Sequence, residues 1–315
     1  MAMLTVTLVA TFAAAAMWQQ WRGIEVEQAE RTRVQSGWIL TGALDWARLI
    51  LREDARAGGP DHLSEPWAVP LEEARLSTFL SAEKGVAVAD SADDALDAFL
   101  SGQIIDLQSF LNVSDLVDAG RVSESGLRAF KRLFELLGLP AEQLAVFAEN
   151  LRFASDTSAD NRSGPMAPLM PQRVEQLVWL GLTPATVAVL RPYVTVLPTR
   201  TAVNLNTASA EVIYAVLDGS SMADAQRMVA ERGRSHFRTP ADARKMVPGV
   251  DDAAFGSDRV GIASSYFESR GRLRFGKTVL EERSLLHRAG FEVRALQRER
   301  GVIEAPPPGS ALGAR

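Results

Sequence analysis

The chain has 315 residues, 47% of them hydrophobic and 23% charged, which suffices for roughly two folded domains of ordinary composition beyond an anchor. Its formal net charge of -5 argues against a nucleic-acid footprint over the whole surface, while leaving room for a local patch. With no cysteine, a disulfide scaffold and thiol-based metal or nucleophile chemistry are excluded, and either cytoplasm or periplasm is compatible.

Met1 to Trp21 carry no charge, and from Arg22 the chain runs on into an amphipathic helical pattern with no proline before Pro60. Helix from Thr5 to Leu51 would be about 70 Å long at 1.5 Å per residue, with one end in hydrocarbon and the other packed on something soluble. Leu4, Val6, Leu8, Val9, Phe12 and Met17, with Ala13 to Ala16, approach the minimum for one bilayer crossing. Trp18, Trp21 and Arg22 then follow as interfacial residues do. The small residues at Ala13 to Ala16 also admit a secretory signal peptide, but that reading needs a basic start and a cleavage site that does not feed into a continuing helix.

Downstream, Ile39, Leu40, Ala43, Leu44, Ala47, Ile50 and Leu51 form an apolar stripe at spacings of three and four, opposite Arg48, Arg52, Glu53 and Asp54. The stripe must pack on a domain. Ala57-Gly58-Gly59-Pro60 ends the helix, and Asp61-His62-Leu63-Ser64-Glu65-Pro66-Trp67 follows as a turn-rich loop. Extended segments are expected at Arg75–Ser81, Gly85–Ala89 and Gly102–Phe110. From Asn112 to about Phe255 the pattern changes to short helices. After a first apolar helical run ending at Leu137, these are expected at Ala141–Leu151, Arg173–Trp179, Pro184–Leu190, Ala208–Leu217, Met222–Arg232 and Pro240–Met246. Tyr266–Phe275, Lys277–Arg288 and Phe291–Glu299 return to the alternation of strands, with Gly276 and Gly290 in the turns. Ala305 to Ser310, rich in proline, is expected to be disordered. The class is therefore α+β, a sheet interrupted by a helical block. The segments are a membrane-spanning or spine helix over 1–24, a first sheet-forming part over 25–111, a helical insert over 112–255, C-terminal strands over 256–303 and a tail over 304–315.

Residues that could carry chemistry are few. His62, His236 and His287 are dispersed, without a partner at helical spacing, and read as surface or loop histidines rather than a zinc or triad set. No phosphate loop or nucleophile elbow appears, so the chain is expected to be non-enzymatic. The loop from Ser155 to Gly164 places Asp156 and Asp160 among amide and hydroxyl oxygens, where a calcium cage could form, with Glu149 as a further donor; a solvated linker fits the same composition. Val203 to Gly249 has the outline of a helix-hairpin-helix, similar to that of membrane-anchored DNA receptors. Its hairpin, Leu217-Asp218-Gly219-Ser220-Ser221-Met222, has one glycine and an aspartate that repels phosphate, so no nucleic acid is expected as a partner; the DNA receptor stands as the alternative reading. Asn206 or Thr207 is expected to cap the helix starting at Ala208.

Several segments carry a resemblance. The oily first helix, Asp61 to Trp67, Ile105-Asp106-Leu107-Gln108-Ser109-Phe110-Leu111-Asn112, and Val203-Asn204-Leu205-Asn206-Thr207-Ala208 stand in an order that resembles the minor pseudopilin K of type II secretion over nearly the whole chain. The resemblance implies a pilin fold with a large helical insert, calcium bound in the helical domain, and a single-pass protein of the bacterial inner membrane with its large domain in the periplasm. It also implies a place at the pseudopilus tip with the I and J minor pseudopilins, and secreted proteins as further candidate partners. Pilin-like precursors carry a basic leader ending in glycine, which does not stand before Leu4. Most also carry a glutamate five residues into the mature helix, whereas no acid precedes Glu25, and this lack resembles the K subunit. A helix without that glutamate cannot neutralise a neighbour's buried ammonium, which would suit the end of a filament, although a plain membrane anchor would lack acids as well.

Overall fold

The structure, a computed structural model, describes residues 2–76, 98–156, 167–275 and 278–304. Helix α1 runs unbroken from Ala2 to Ala57, 56 residues and so about 84 Å at 1.5 Å per residue. Its described side chains are exposed as far as Gln35, and the apolar part of this stretch is long and apolar enough to cross a membrane. From Ser36 onward the helix is bedded on the protein. It ends where expected: the Gly58 N–H closes on the Asp54 carbonyl, and Gly58 sits at φ 69°, a left-handed conformation for which glycine has no Cβ cost.

The sheet under the helix is five-stranded and antiparallel. Strands β1 (Leu71–Arg75) and β2 (Ala98–Asp106) come first. The insert then contributes two-residue strands β3 (Leu111–Asn112), β4 (Val117–Asp118) and β5 (Arg121–Val122), helices α2 (Glu124–Leu137), α3 (Ala141–Ser155) and α4 (Pro184–Leu190), and a 3-10 helix at Val174–Leu180. It continues through β6 (Val194–Thr195), β7 (Val203–Asn204), α5 (Ala210–Val216), α6 (Met222–Arg232), α7 (Pro240–Lys245) and β8 (Val260–Gly261). Strands β9 (Tyr266–Phe275), β10 (Thr278–Ala289) and β11 (Glu292–Glu304) complete the sheet in the order β1-β2-β9-β10-β11.

Among the described residues three apolar clusters divide the work, two between helix and sheet and one in the insert. Leu44, Ala47 and Leu51 of α1 pack with Trp67, Ile104, Phe267, Leu286 and Val293, while Leu40 packs with Leu100 and Leu273, so the stripe expected from sequence is the one that meets the sheet. The insert has its own continuous core from Leu111 to Val260, around Phe130, Phe134, Phe147 and Leu177. It leaves after β2 and returns at β9, and these strands are neighbours with Asp106 paired to Phe267. Because its two ends emerge side by side, a closed helical body is accommodated without breaking the ladder.

Some expectations are corrected. Of the strand expected at Arg75–Ser81, Arg75 closes β1, which begins earlier at Leu71; residues 77–81 and the segment Gly85–Ala89 lie outside the described residues. The segment Gly102–Phe110 is strand only to Asp106, because the Asp106 carboxylate accepts the Gln108 N–H and turns Leu107–Ser109 into a 3-10 helix. The helix expected from Ala208 starts at Ala210, with Ser209 accepting the Val212 N–H as cap, since Asn206 and Thr207 are engaged elsewhere. The tail from Ala305 lies outside the described residues.

On the helix-facing side of β10, Ser284 is 1% exposed and its hydroxyl has no hydrogen-bond partner among the described residues. An unsatisfied buried hydroxyl costs about 1–3 kcal/mol, so Ser284→Ala should raise stability by about 1 kcal/mol, read as a higher urea midpoint at unchanged slope. A lower midpoint would show that the hydroxyl has a partner in solution.

Candidate functional site

The most elaborate polar arrangement lies where the insert joins the sheet. At the end of β2, Asp106 is 3% exposed. One carboxylate oxygen accepts the Gln108 N–H at 2.8 Å. The other accepts from Asn204 Nδ2 at 3.1 Å, Thr207 Oγ1 at 2.5 Å and Ser264 Oγ at 2.7 Å. Asn204 also donates to the Asp61 carbonyl at 3.1 Å, and its own carbonyl accepts the Asn206 N–H at 2.9 Å. Asn206 pairs in both directions with the Phe237 backbone, at 2.8 and 3.0 Å. Gln108 bridges the Ala202 carbonyl and the Ser265 N–H, at 2.9 and 2.6 Å. Asn112, fully buried, accepts from the Ser114 and Leu197 N–H groups and donates to Thr199 and Thr201.

The three segments that carry the resemblance therefore converge in space. Asp61, then Asp106 and Gln108, and then Asn204, Asn206 and Thr207 are threads of one network, while Asn112 holds its own set of partners at Ser114 and Leu197 to Thr201. Sequence reading located the segments but missed two closing members, Ser264 and Arg288. Arg288 at the end of β10 donates to Asp54 at 2.5 Å, to both oxygens of Asp61 at 2.5 and 2.7 Å and to the Ser264 carbonyl at 2.7 Å, with Phe267 under its guanidinium at 4.8 Å. Asp54, expected on a wet face of α1, is turned inward by this contact, its side chain only 9% exposed. Nothing in the sequence marks a pairing across more than two hundred positions.

Asp54, Asp61 and Glu65 together present three carboxylates close enough for a metal ion. The Arg288 guanidinium already supplies the cation to Asp54 and Asp61, and Glu65 is occupied by the Trp67 indole N–H and the His62 N–H, both at 2.8 Å. The cluster is a structural ion-pair site. Burial raises the pKa of Asp61 against the opposing pull of Arg288, and raises that of Asp54 with help from Glu65. Burial also takes Asp106 up to about 6, against the hydrogen bonds from Thr207, Ser264 and Gln108.

The other expected site residues lie apart from this junction. Asp156 is exposed at the C-terminal end of α3, and Asp160 lies outside the described residues. Leu4, Val6, Leu8, Val9, Phe12 and Met17 are all exposed along α1. His62 and His236 are loop residues, as expected, and although dispersed in sequence they are stacked on each other with ring centroids 3.8 Å apart. His287 lies against the Tyr266 ring at 4.6 Å. The hairpin at Leu217–Met222 is occupied from within the insert: Arg132 of α2 donates to the Tyr214 and Ser220 carbonyls, and Asp218 pairs with Arg128 and Arg132. Its acidic residue and buried Ser220 offer phosphate no nest.

A family model described as type II secretion system (T2SS), protein K, matches residues 109–199, and another of the same description matches residues 203–263. Both matches lie in the insert, and there the chain resembles this family. A member from Pseudomonas aeruginosa, type II secretion system protein K, is 25% identical over 303 residues, spanning 89% of this chain and 85% of that protein. Among solved structures, a chain in the GspK-GspI-GspJ complex from enterotoxigenic Escherichia coli superposes with a TM-score of 0.67 at 19% identity, covering 87% of this chain and 98% of that one. That likeness bears on the fold, a mixed α+β architecture with a long N-terminal helix, an antiparallel sheet and a helical insert. The DNA-receptor alternative finds no support in these comparisons. The matched ranges include Asn112, Asn204, Asn206 and Thr207, while Asp61, Asp106 and Arg288 lie outside them.

Two outcomes follow. In Asp106→Asn an amide NH₂ faces the donors of Asn204, Thr207 and Ser264, and stability should fall by about 2–4 kcal/mol, read by urea unfolding. The deficit should also depend on pH. Because the folded-state pKa of Asp106 is raised, its favourable contribution is complete below the ordinary value near 3.8 and is lost as pH rises through about 6. The gap between wild type and Asp106→Asn should therefore be wider at pH 5 than at pH 7.5.

Proposed function

We propose that this chain is a non-enzymatic minor pseudopilin of the type II secretion system. It occupies the tip of a periplasmic pseudopilus in complex with partners of the I and J types, and Leu4 to Trp21 crosses the inner membrane once before assembly. One observation supports this most strongly. Past the apolar anchor, α1 still exposes Val34, Trp38, Trp46 and Leu49 on the flank turned away from its own sheet, Trp38 at 74%. A helix bedded on one side and apolar on the other calls for further helices alongside it. The Escherichia coli neighbour comes from a complex with GspI and GspJ, which gives such helices a source.

Co-purification with I-type and J-type pseudopilins tests this reading. The wild-type chain should co-elute with both at micromolar concentration. Trp38→Glu should weaken the complex tenfold or more at an unchanged melting temperature, since a charge would be buried at the contact. Wild-type chain eluting as a monomer in that mixture would contradict the assignment.

Calcium binding by Asp156 and Asp160 rests on the family resemblance and on oxygen donors suited to a hard cation. Of that pair, Asp156 is among the described residues and exposed at the end of α3. Millimolar calcium should raise the melting temperature of the wild type, and the double replacement Asp156→Ala with Asp160→Ala should remove the increment. Equal melting curves with calcium and with chelator would dismiss the site.

A further inference from the structure

Outside the polar junction, His62 and His236 form a second contact between the loop after α1 and the insert. Their rings are face to face, with centroids 3.8 Å apart and planes within 9°. His62 belongs to the Asp61–Trp67 loop, which is tied to the sheet by Arg288 through Asp61 and by the Trp67 ring against Phe267 at 5.3 Å. His236 stands between α6 and α7, next to Phe237, whose backbone is held by Asn206. The pair thus spans the sheet side and the insert at a point where each ring's neighbours are held by hydrogen bonds.

The Ser64 N–H donates to His62 Nδ1 at 3.3 Å, a turn bond that uses the lone pair of that nitrogen. A proton added to His62 must go on Nδ1, which breaks that turn bond. A second proton on the facing ring then sets like charges less than 4 Å apart. The charged groups around the stack are Glu65 in the same turn, which favours a positive ring, Arg238, which opposes one, and Asp61, already held by Arg288. Glu65 has its Oε2 committed to the His62 N–H and the Trp67 indole, so it is not placed to follow a displaced ring.

We propose that the His62–His236 stack is an acid-sensitive clasp that holds the loop after the spine helix to the insert and opens when both rings are protonated. The direction agrees with the environment of His236, whose pKa is lowered by burial, by His62 and by Arg238. A histidine with a lowered folded-state pKa binds fewer protons folded than unfolded. Its contribution is intact above the ordinary value of about 6.5 and is lost as pH falls through the lowered one. Opening the clasp would loosen the insert against the sheet without touching the buried core of either.

The chain has only three histidines, so histidine-selective labelling of the full protein in detergent micelles gives a resolvable NMR titration. The His236 signal should titrate below about 6.5, and in His62→Gln its midpoint should move upward. Amide exchange corrected for intrinsic pH dependence should show protection of residues 61–67 falling between pH 7.5 and 5.5 in the wild type. In His62→Phe, which keeps a ring but cannot be charged, protection should remain nearly constant over that range. An unchanged His236 midpoint in His62→Gln, or the same loss of loop protection in His62→Phe as in the wild type, would overturn the proposal.

Discussion

The buried carboxylate of Asp106 is the constraint on which the rest of the structure depends. It sits at the last residue of β2, the point where the chain abandons the sheet for more than 150 residues before resuming it at β9. A carboxylate there is costly unless every lone pair is met, and the molecule meets them with donors from three separate stretches: Gln108 on the way out, Asn204 and Thr207 in mid-insert, and Ser264 on the way back. The desolvation cost thereby becomes a positional demand. The insert can have only the orientation in which those donors arrive together.

Arg288 extends the same logic to the spine. By joining Asp61 and Asp54 to the end of β10, it ties the final turns of α1 to the sheet and to Ser264. At the opposite edge, Glu282 takes Arg298 and Arg300 of β11, and Arg298 reaches Thr41 of α1. The bedded half of the helix is thus held by apolar packing in its middle, by the Asp54–Arg288 ion pair at one end and by the Arg298–Thr41 hydrogen bond toward the other. The other half projects, presenting Leu4 to Met17 and then Val34 to whatever surrounds it. For a subunit proposed to anchor in a membrane and then pack among other helices, a rigidly held base and an exposed shaft are the mechanical requirement.

Much of this was legible in the sequence wherever local periodicity decides structure. The stripe from Ile39 to Leu51, the stop at Gly58-Gly59-Pro60, the helix Met222–Arg232 and the strand Tyr266–Phe275 all follow from spacing, capping or alternation. Local polar chemistry was harder to read. Asn206 and Thr207 look like caps, but tertiary partners claim them, Phe237 for one and Asp106 for the other, and Ser209 takes over the cap. The junction itself was not legible: Asp61 and Arg288, or His62 and His236, become neighbours only through the topology that returns the chain to its starting edge. Segments of resemblance pointed to the right residues without giving the reason, which is that Gln108, Asn204 and Thr207 all donate to the buried Asp106.

If Asp106 and its donors make the sheet and insert one cooperative body, cutting a single donor on the insert should uncouple them. Differential scanning calorimetry of Asn204→Ala, which removes the amide shared by Asp106, Asp61 and Ser264, tests this most directly. One transition is expected for the wild type and two for the variant, with the insert, whose core from Leu111 to Val260 is untouched, melting separately from the sheet. A single transition, merely shifted to lower temperature, would contradict it and place the coupling elsewhere.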